Sequence, residues 1–373
     1  MDPKQLFCPN IDCPARGQRG EGNIIVHSQK EKRCYCQVCE RTFAATKGTL
    51  FYRLRTDPQL VMWVIVLVAH GCPLQAIVAA FGFDERTVKD WIQKAGSHCQ
   101  GVHQHLMSQQ QLDLQQVQAD EIKVKVQGGT VWLALAMMVS HRLWLGGAIS
   151  PKRDLELLQI LANQIRAVAL CRSLLLAVDG LPGYIKVFQR AFRSPVHESG
   201  KRGRPQLYAW PDVAIVQVIK RRLPTGLTIE RRIVQGCPRQ IARLLQVTQK
   251  APGVINTAYI ERLNATFRAR LSWLTRRTRS LAQQPETLMA GLYIVGCFYN
   301  LCNVHHSLRI RLAVGRYGHR WVQRTPAMAA NITDHIWTVE ELLTYRVPLP
   351  CWTPPKRRGR HSKETLQLLE RWC

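Results

Sequence analysis

Acidic residues are scarce in this chain. Its 373 residues carry 25 Asp and Glu against 52 Lys and Arg, a formal charge of +27. Such an excess disfavours a basic partner and suits a polyanion, while saying nothing about fold. Nucleic acid is the leading partner class, and a membrane surface is the weaker one. Long apolar runs are missing too. None reaches the roughly 18 residues of a transmembrane helix, and the longest, Leu60 to Ala69, reads as a buried helix. Met1 to Gly20 is polar and lacks the apolar stretch of a secretion signal, which predicts an unsecreted, cytoplasmic protein. No internal repeat is visible. What is present is ordinary globular material. The hydrophobic share is 46%, too high for a disordered chain, and the length leaves room for two or three domains.

The 13 cysteines are an odd number with uneven spacing. Most are single residues in apolar runs, as expected of inert thiols in a reducing cytosol. Four are different. Cys8-x4-Cys13 and Cys36-x2-Cys39 are short-spaced pairs that can offer four thiolates tetrahedrally to one zinc ion. The stretch between them, with Ile24-Ile25-Val26, can form the hairpin of a zinc ribbon. So small a segment cannot build a sufficient core, so the metal would supply its folding energy. Four cysteines leave no open coordination position, so the role is structural. Cys34 is a possible substitute ligand. A second cluster, His98-Cys99-x3-His103-x-His105, is read as solvated side chains rather than a metal site.

Residues 57–106 are apolar with helical periodicity. Within them, Pro73 to Ala95 has the pattern of a helix-turn-helix. Leu74, Ile77 and Val78 give one apolar face, Gly82 allows the turn, and Asp84 can cap the next helix. Val88, Trp91 and Ile92 form that helix's buried face. Arg86, Thr87, Lys89, Asp90 and Gln93 are left exposed near its start, where a DNA-reading helix meets base edges. The bland alternative is an ordinary pair of packed helices.

A glutamine-rich stretch, Gln109 to Gln118, leads into strands over Val117–Val126, Thr130–Ser140 and His141–Ser150, with Gly128-Gly129 as a hairpin turn. Pro151–Leu170 is helical, a buried strand ends at Asp179, and Gly183–Phe192 is a short helix. Arg193–Pro211 reads as a basic loop and Asp212–Arg222 as a strand. Asn256–Thr275 and Pro285–Asn303 read as helices, and the tail from about 311 as basic and irregular. The order implies an α/β core, a mixed sheet flanked by helices of the ribonuclease-H-like kind. Two strand-end aspartates, Asp120 and Asp179, and a helical Glu261 could then converge. Paired divalent cations for phosphodiester chemistry need carboxylates of this kind, and magnesium prefers oxygen ligands. Each residue also has a bland reading. An Asp before Gly is often a turn residue, and Glu261 amid arginines could be a salt-bridge partner. Glu121 is read as a decoy because neighbouring strand residues face opposite sides, although periodicity alone does not say which of Asp120 and Glu121 faces the site. Asp113, Asp154 and Glu156 are read as surface charges.

Basic residues cluster around Glu261: Arg262, Arg268, Arg276 and Arg277 among them. They suit a helix that tracks a phosphate backbone. Lys201-Arg202-Gly203-Arg204-Pro205 is like an AT-hook, in which Arg202 and Arg204 would enter a narrow minor groove. Lys356 to Arg360 repeats the theme. Either could be a solvated charged loop.

Taken in order, Cys8–Cys39, the Gly82-centred turn, Ala119-Asp120-Glu121, Val178-Asp179-Gly180 and Ile260-Glu261-Arg262-Leu263-Asn264-x-Thr-x-Arg resemble a DDE transposase of a bacterial insertion sequence. Asn300 and His305-His306-Ser307-Leu308 reinforce the match, which is closest to the zinc-ribbon, insertion-sequence-one-like groups. The resemblance implies a zinc ribbon over 1–47, a helix-turn-helix domain over 57–106, a ribonuclease-H-like catalytic domain over 112–310 and a basic extension over 311–373. It implies Asp120, Asp179 and Glu261 as ligands of two magnesium ions, for which manganese substitutes. The expected activity is cleavage and strand transfer at the element's terminal inverted repeats. Double-stranded DNA, as element ends and target, is the expected partner, with a homo-oligomer on DNA, no membrane, and a place at the bacterial nucleoid. The rival readings are a transposon-derived DNA-binding regulator without catalysis and a metal-dependent DNA nuclease.

Overall fold

The computed structural model describes residues 2–197, 203–224, 226–249, 253–275, 282, 284–314, 318–354, 359 and 361–372. The chain divides into two compact units, Met1–Val61 with Leu343–Cys373, and Met62–Leu342.

The first unit is built on a three-stranded antiparallel meander, β1 (Ile24–Ser28), β2 (Arg33–Cys36) and β3 (Arg41–Ala44), in that order. Alternation turns Ile24, Cys34, Cys36 and Phe43 inward, where they join Leu6, Cys8, Cys13, Ala15 and Ala45. The final turns of the chain complete this small core. Trp372, at the end of the helix Lys363–Trp372, is buried in it. Gly17 is required where the two stretches of chain meet. Its φ is +76°, and a Cβ there would lie 2.6 Å from the Leu349 carbonyl oxygen.

The second unit includes helices α1 (Pro58–Ala69, whose first residues fall in the other unit), α2 (Leu74–Phe81) and α3 (Glu85–Ser108). Its sheet is formed by β4 (Gln116–Val126), β5 (Gly129–Met138), β6 (Leu143–Ser150), β7 (Leu174–Asp179), β10 (Val213–Leu223) and β11 (Gly226–Gln235). Between β6 and β7 lies α4 (Leu155–Val168). After β7 come α5 (Gly183–Ala191) and a small hairpin, β8 (Arg193–Val196) with β9 (Gln206–Ala209). After β11 come α6 (Pro238–Gln249), α7 (Ala258–Arg270) and α8 (Pro285–Cys297). The sheet order is β11-β10-β7-β4-β5-β6. β4, β5 and β6 form an antiparallel meander, β7 runs parallel to both β4 and β10, and β11 closes the edge antiparallel. The α/β expectation of a mixed sheet flanked by helices therefore holds.

Alternation along the central strands assigns the two faces. Leu174, Leu176 and Val178 of β7 pack with α4 and α5, while Leu175 and Ala177 pack with Ile241, Leu244 and Leu245 of α6. A strand buried on both sides reads as a continuous apolar run, as β7 does. Gly96 of α3 lets α8 approach closely: a Cβ would stand 2.3 Å from the Ala290 Cα. Asn300 lies in a π turn after α8. It accepts from the Trp144 N–H and donates to the Trp144 carbonyl, at 3.0 and 2.8 Å. Loss of that buried pair would cost about 1–3 kcal/mol per orphaned group.

Three segments differ from expectation. The supposed loop Arg193–Pro211 contains the β8–β9 hairpin. The supposedly irregular tail contains a second hairpin, β12 (Ile310–Val314) with β13 (Gly318–Val322), and further helices. Both hairpins are almost wholly exposed, so no buried face announced them. One helical segment, Pro285–Leu308, is long and apolar enough to cross a membrane, but 72% of its apolar window is buried inside the protein. It continues through the π turn, which extended it beyond the uninterrupted apolar run in the sequence.

Candidate metal centres and their surroundings

The carboxylate centre begins with strand register. β4 and β7 pair in parallel at Gln116 with Leu175, Val117 with Leu176 and Gln118 with Ala177, and then part. Continuing that register by two residues places Asp120 beside Asp179. Where the strands separate, their carboxylates meet that of Glu121, and oxygens of all three lie within 4.8 Å of one another.

Gln116, Gln118 and Asp120 share one face of β4 by period-2 alternation. Each reaches a different part of the α6–α7 region. Gln116 Oε1 accepts from Thr248 Oγ1 at 2.6 Å. Gln118 Oε1 accepts from the Tyr259 and Ile260 N–H groups, both at 3.0 Å, and its Nε2 donates to the Asn256 carbonyl at 2.7 Å. Helix starts carry N–H groups with no intrahelical partner, so Gln118 fixes the start of α7 from across the sheet. Thus fixed, α7 brings Asn264 Nδ2 to Asp120 Oδ2 at 2.8 Å. It also brings Glu261 to the rim. Glu261 is not in the 4.8 Å group, but with Asp120, Glu121, Asn264 and Arg268 it lines one open groove of about 690 Å³.

Resident cations already face these acids. Arg153, just before the Asp154 cap of α4, places Nη2 2.7 Å from Glu121 Oε2 and 2.9 Å from Asp179 Oδ2, and its guanidinium lies 5.0 Å from the Trp132 ring centre. Lys220, on the part of β10 beyond its pairing with β7, bonds Glu261, which also accepts from Thr257 Oγ1 at 2.7 Å. Burial pushes the Asp120 carboxyl up to about 7, with Glu121, Asp179 and Glu261 adding repulsion. Burial also raises Glu121, against the opposing pull of Tyr184 and Arg153. Burial acts upward on Glu261 too, but Lys220 and Thr257 outweigh it and hold that carboxyl below its ordinary value.

An oxygen-only donor set with crowded negative charge fits a hard divalent cation. One buried oxygen sharpens the fit. Asn264 Oδ1 has no hydrogen-bond partner among the described residues, whereas the second Glu121 oxygen has the buried Tyr184 hydroxyl to interact with. Buried polar atoms rarely stay unpaired, and a cation or its water shell would satisfy Asn264 Oδ1.

Asp120 and Asp179, paired by the sequence pattern, lie together, and Glu261 lines a groove with Asp120. Glu121, expected to be a decoy facing away, belongs to the carboxylate group: it sits with Asp120 and Asp179 and also meets Arg153 and Tyr184. Sequence reasoning missed Arg153, for which the sequence carries no local signal, and the Gln116-Gln118-Asp120 stripe. That stripe was visible as polar residues alternating with Val117 and Ala119.

The cysteine centre is local. Sulfurs of Cys8, Cys13, Cys36 and Cys39 all lie within 4.8 Å of one another. Cys8 and Cys39 are 3.6 Å apart, Cys13 and Cys36 3.8 Å. A tetrahedron of 2.3 Å metal–sulfur bonds has edges of about 3.8 Å. Cys34 is buried in the same core but is not part of the four-sulfur group. Burial raises the Cys8 thiol strongly and pushes Cys13 up to about 12.

The remaining expected residues fall as follows. Gly82 ends α2 with φ 69°, and the Asp84 side chain accepts from the Arg86 and Thr87 N–H groups at 2.8 and 3.3 Å. Val88, Trp91 and Ile92 are buried, while Arg86, Thr87 and Gln93 are exposed. Lys89 is half-buried and paired with Glu85 at 2.7 Å. Arg204 and Arg262 are exposed and Arg268 is half-buried. Arg202, Arg276 and Arg277 lie outside the described residues, as does nearly all of Lys356–Arg360. His103 is a core residue. It contacts the Leu145 carbonyl at 3.2 Å and the Trp144 ring, and burial lowers its pKa to about 4. Asp154 caps α4 through the Leu157 N–H.

A comparison with protein-family models matches none of them, and a comparison with curated proteins finds no match.

Proposed function

We propose that this chain is a metal-dependent DNA transposase of the DDE type with a ribonuclease-H-like catalytic core. One observation carries the reading: Asp120 and Asp179 sit side by side where two parallel central strands part, and Glu261 lines a groove with Asp120 from a helix. The sheet order supports it, with an antiparallel three-strand meander followed by two parallel strands, the order implied by the family the sequence resembles. Asp120, Asp179 and Glu261 would hold two magnesium ions, with manganese as a substitute. Such ions supply an activated attacking oxygen and a stabilised leaving oxygen. The chain's own residues do the rest. Gln118 and Asn264 orient the Asp120 carboxylate and the α7 helix. Arg262 and Arg268, beside the groove, would hold the phosphate backbone. Arg86, Thr87, Lys89 and Gln93 at the start of α3 would read the element ends. The four cysteines would hold one structural zinc ion as a ribbon. Pairing two element ends calls for more than one copy of the chain, working at the bacterial nucleoid.

The Arg153 and Lys220 contacts favour a second reading, a DNA-binding regulator whose acids are held by internal cations in place of metal. Incubation of the purified protein with duplex DNA carrying its gene's natural flanks separates the readings. With magnesium or manganese, a transposase gives nicked flanks and joined products, both lost in Asp120→Asn, Asp179→Asn and Glu261→Gln. Binding without cleavage would establish the regulator, and cleavage without joining a nuclease.

A further inference from the structure

The hairpin β12–β13 stands apart from every core in the second unit. All ten strand residues are exposed, yet the ladder is regular over five pairs, from Ile310 with Val322 to Val314 with Gly318. The His305 N–H donates to the Arg324 carbonyl at 2.9 Å and closes its base. Residues paired across an antiparallel ladder share a face. One face therefore carries Arg311, His319 and Trp321, with Arg309 stacked 3.9 Å from the Trp321 ring centre. His319 meets the same ring edge-on, and Arg311 lies 3.4 Å from His319. The other face carries Ile310, Leu312, Val314 and Val322, with Arg320.

Charge points to the occupant. No Asp or Glu occurs from Thr287 to Thr333, and none of Arg309, Arg311 and Arg320 forms an ion pair among the described residues. An exposed regular ribbon is costly to keep unpaired unless it serves a surface. A two-stranded ribbon fits the major groove of duplex DNA, and arginines held by ring stacking are preorganised donors to phosphate and base edges.

We propose that β12–β13 is a DNA-binding ribbon, with the Arg309–Arg311–His319–Trp321 face against the duplex. It is a contact separate from the helix α3, and it rests on the DNA reading above. Arg309 and Arg311 neutralise phosphates, and Trp321 holds Arg309 in place.

The test uses the full chain, a labelled random-sequence duplex and a range of salt. The variant combines Arg309→Gln, Arg311→Gln and Trp321→Ala. These exposed changes should leave thermal unfolding as in wild type. A second variant, Leu312→Ser, probes the opposite face. The salt slope of log K should fall by about 1.8 for two lost phosphate contacts, with affinity roughly tenfold or more weaker at low salt. Leu312→Ser should leave both unchanged. Wild-type protein that does not bind duplex DNA would overturn the proposed function itself. Wild-type binding with an unchanged slope in the triple variant would overturn only the ribbon. So would a ribbon whose triple variant loses anionic-vesicle binding but keeps DNA, or whose Leu312→Ser variant dissociates an oligomer while DNA binding stays intact in both variants.

Discussion

The two ligand groups in this protein are built in opposite ways. The four cysteines come from the segment before a small meander and from the end of β2 and the turn after it, sit almost wholly inside its core, and have sulfurs spaced like the edges of a metal–sulfur tetrahedron. The three carboxylates come from two central strands brought together by register; Asp120 and Glu121 open onto a groove, and Arg153 holds Glu121 and Asp179. In the first, ligands and core are the same residues, so metal and fold stand or fall together. In the second, the sheet is complete without any ion, and the acids are a local strain that the fold tolerates. A structural centre is closed and self-contained. The carboxylate group is left partly unsatisfied and accessible, at a cost carried by the surrounding scaffold.

That contrast can be broken at several points, in order of effect. Removing the cysteine-bound metal with a strong chelator, or substituting Cys36→Ser, should forfeit binding energy on the order of 10 kcal/mol. The first unit should lose its structure, seen as rapid proteolysis within residues 1–61, while the sheet unit stays folded. Joint unfolding of both units would erase the distinction. Arg153→Ala should come next. It strips the counter-charge from Glu121, whose side chain is fully buried, and should cost about 3 kcal/mol in urea unfolding without metal. Added manganese should restore most of the loss, and no restoration would mean the carboxylates do not take a cation.

Asp120→Asn should act the other way. The Asp120 carboxyl titrates near 7 in the fold and near 3.9 when unfolded. The folded state thus keeps its proton longer, so metal-free stability falls as pH rises from about 4 to about 7 and stays low above that. The variant should melt a few degrees higher than wild type at pH 8, match it near pH 4, and lose the advantage when manganese is present. A wild-type melting point insensitive to the substitution at pH 8 would refute the crowding of charge. Smallest of all, Glu261→Gln should change stability by less than about 1 kcal/mol, because its pair with Lys220 is half exposed. Its effect belongs to activity alone, measured as loss of the joined DNA product.

Much of the site was legible because single strands announce themselves. The apolar run into Asp179 and the alternation through Val117 and Ala119 each gave a strand and its end. The Asp84 cap and the Val88-Trp91-Ile92 face gave α3. Arg153 and Glu121 were not legible, since their meeting depends on how β4, α4 and α5 pack. Neighbouring strand residues do face opposite sides, but at the point where β4 leaves β7 nothing separates the two faces. β11 and α6 went unread as well: β11 is largely exposed, and its alternating Leu227, Ile229 and Ile233 are broken by Glu230, Arg231 and Arg232.

The return of the chain to its starting unit has one more consequence. Gln18 Nε2 donates to the Trp372 carbonyl, 354 positions away, and Trp372 fills the core beside the cysteines. The four sulfurs can be gathered as soon as Cys39 has left the ribosome, but the apolar seam around them stays open until the whole second unit has been made. A premature stop or frameshift anywhere along that stretch would leave an N-terminal unit with an exposed seam, a ready target for quality-control proteases. A copy cut short within that stretch would carry the mark of its truncation at the opposite end.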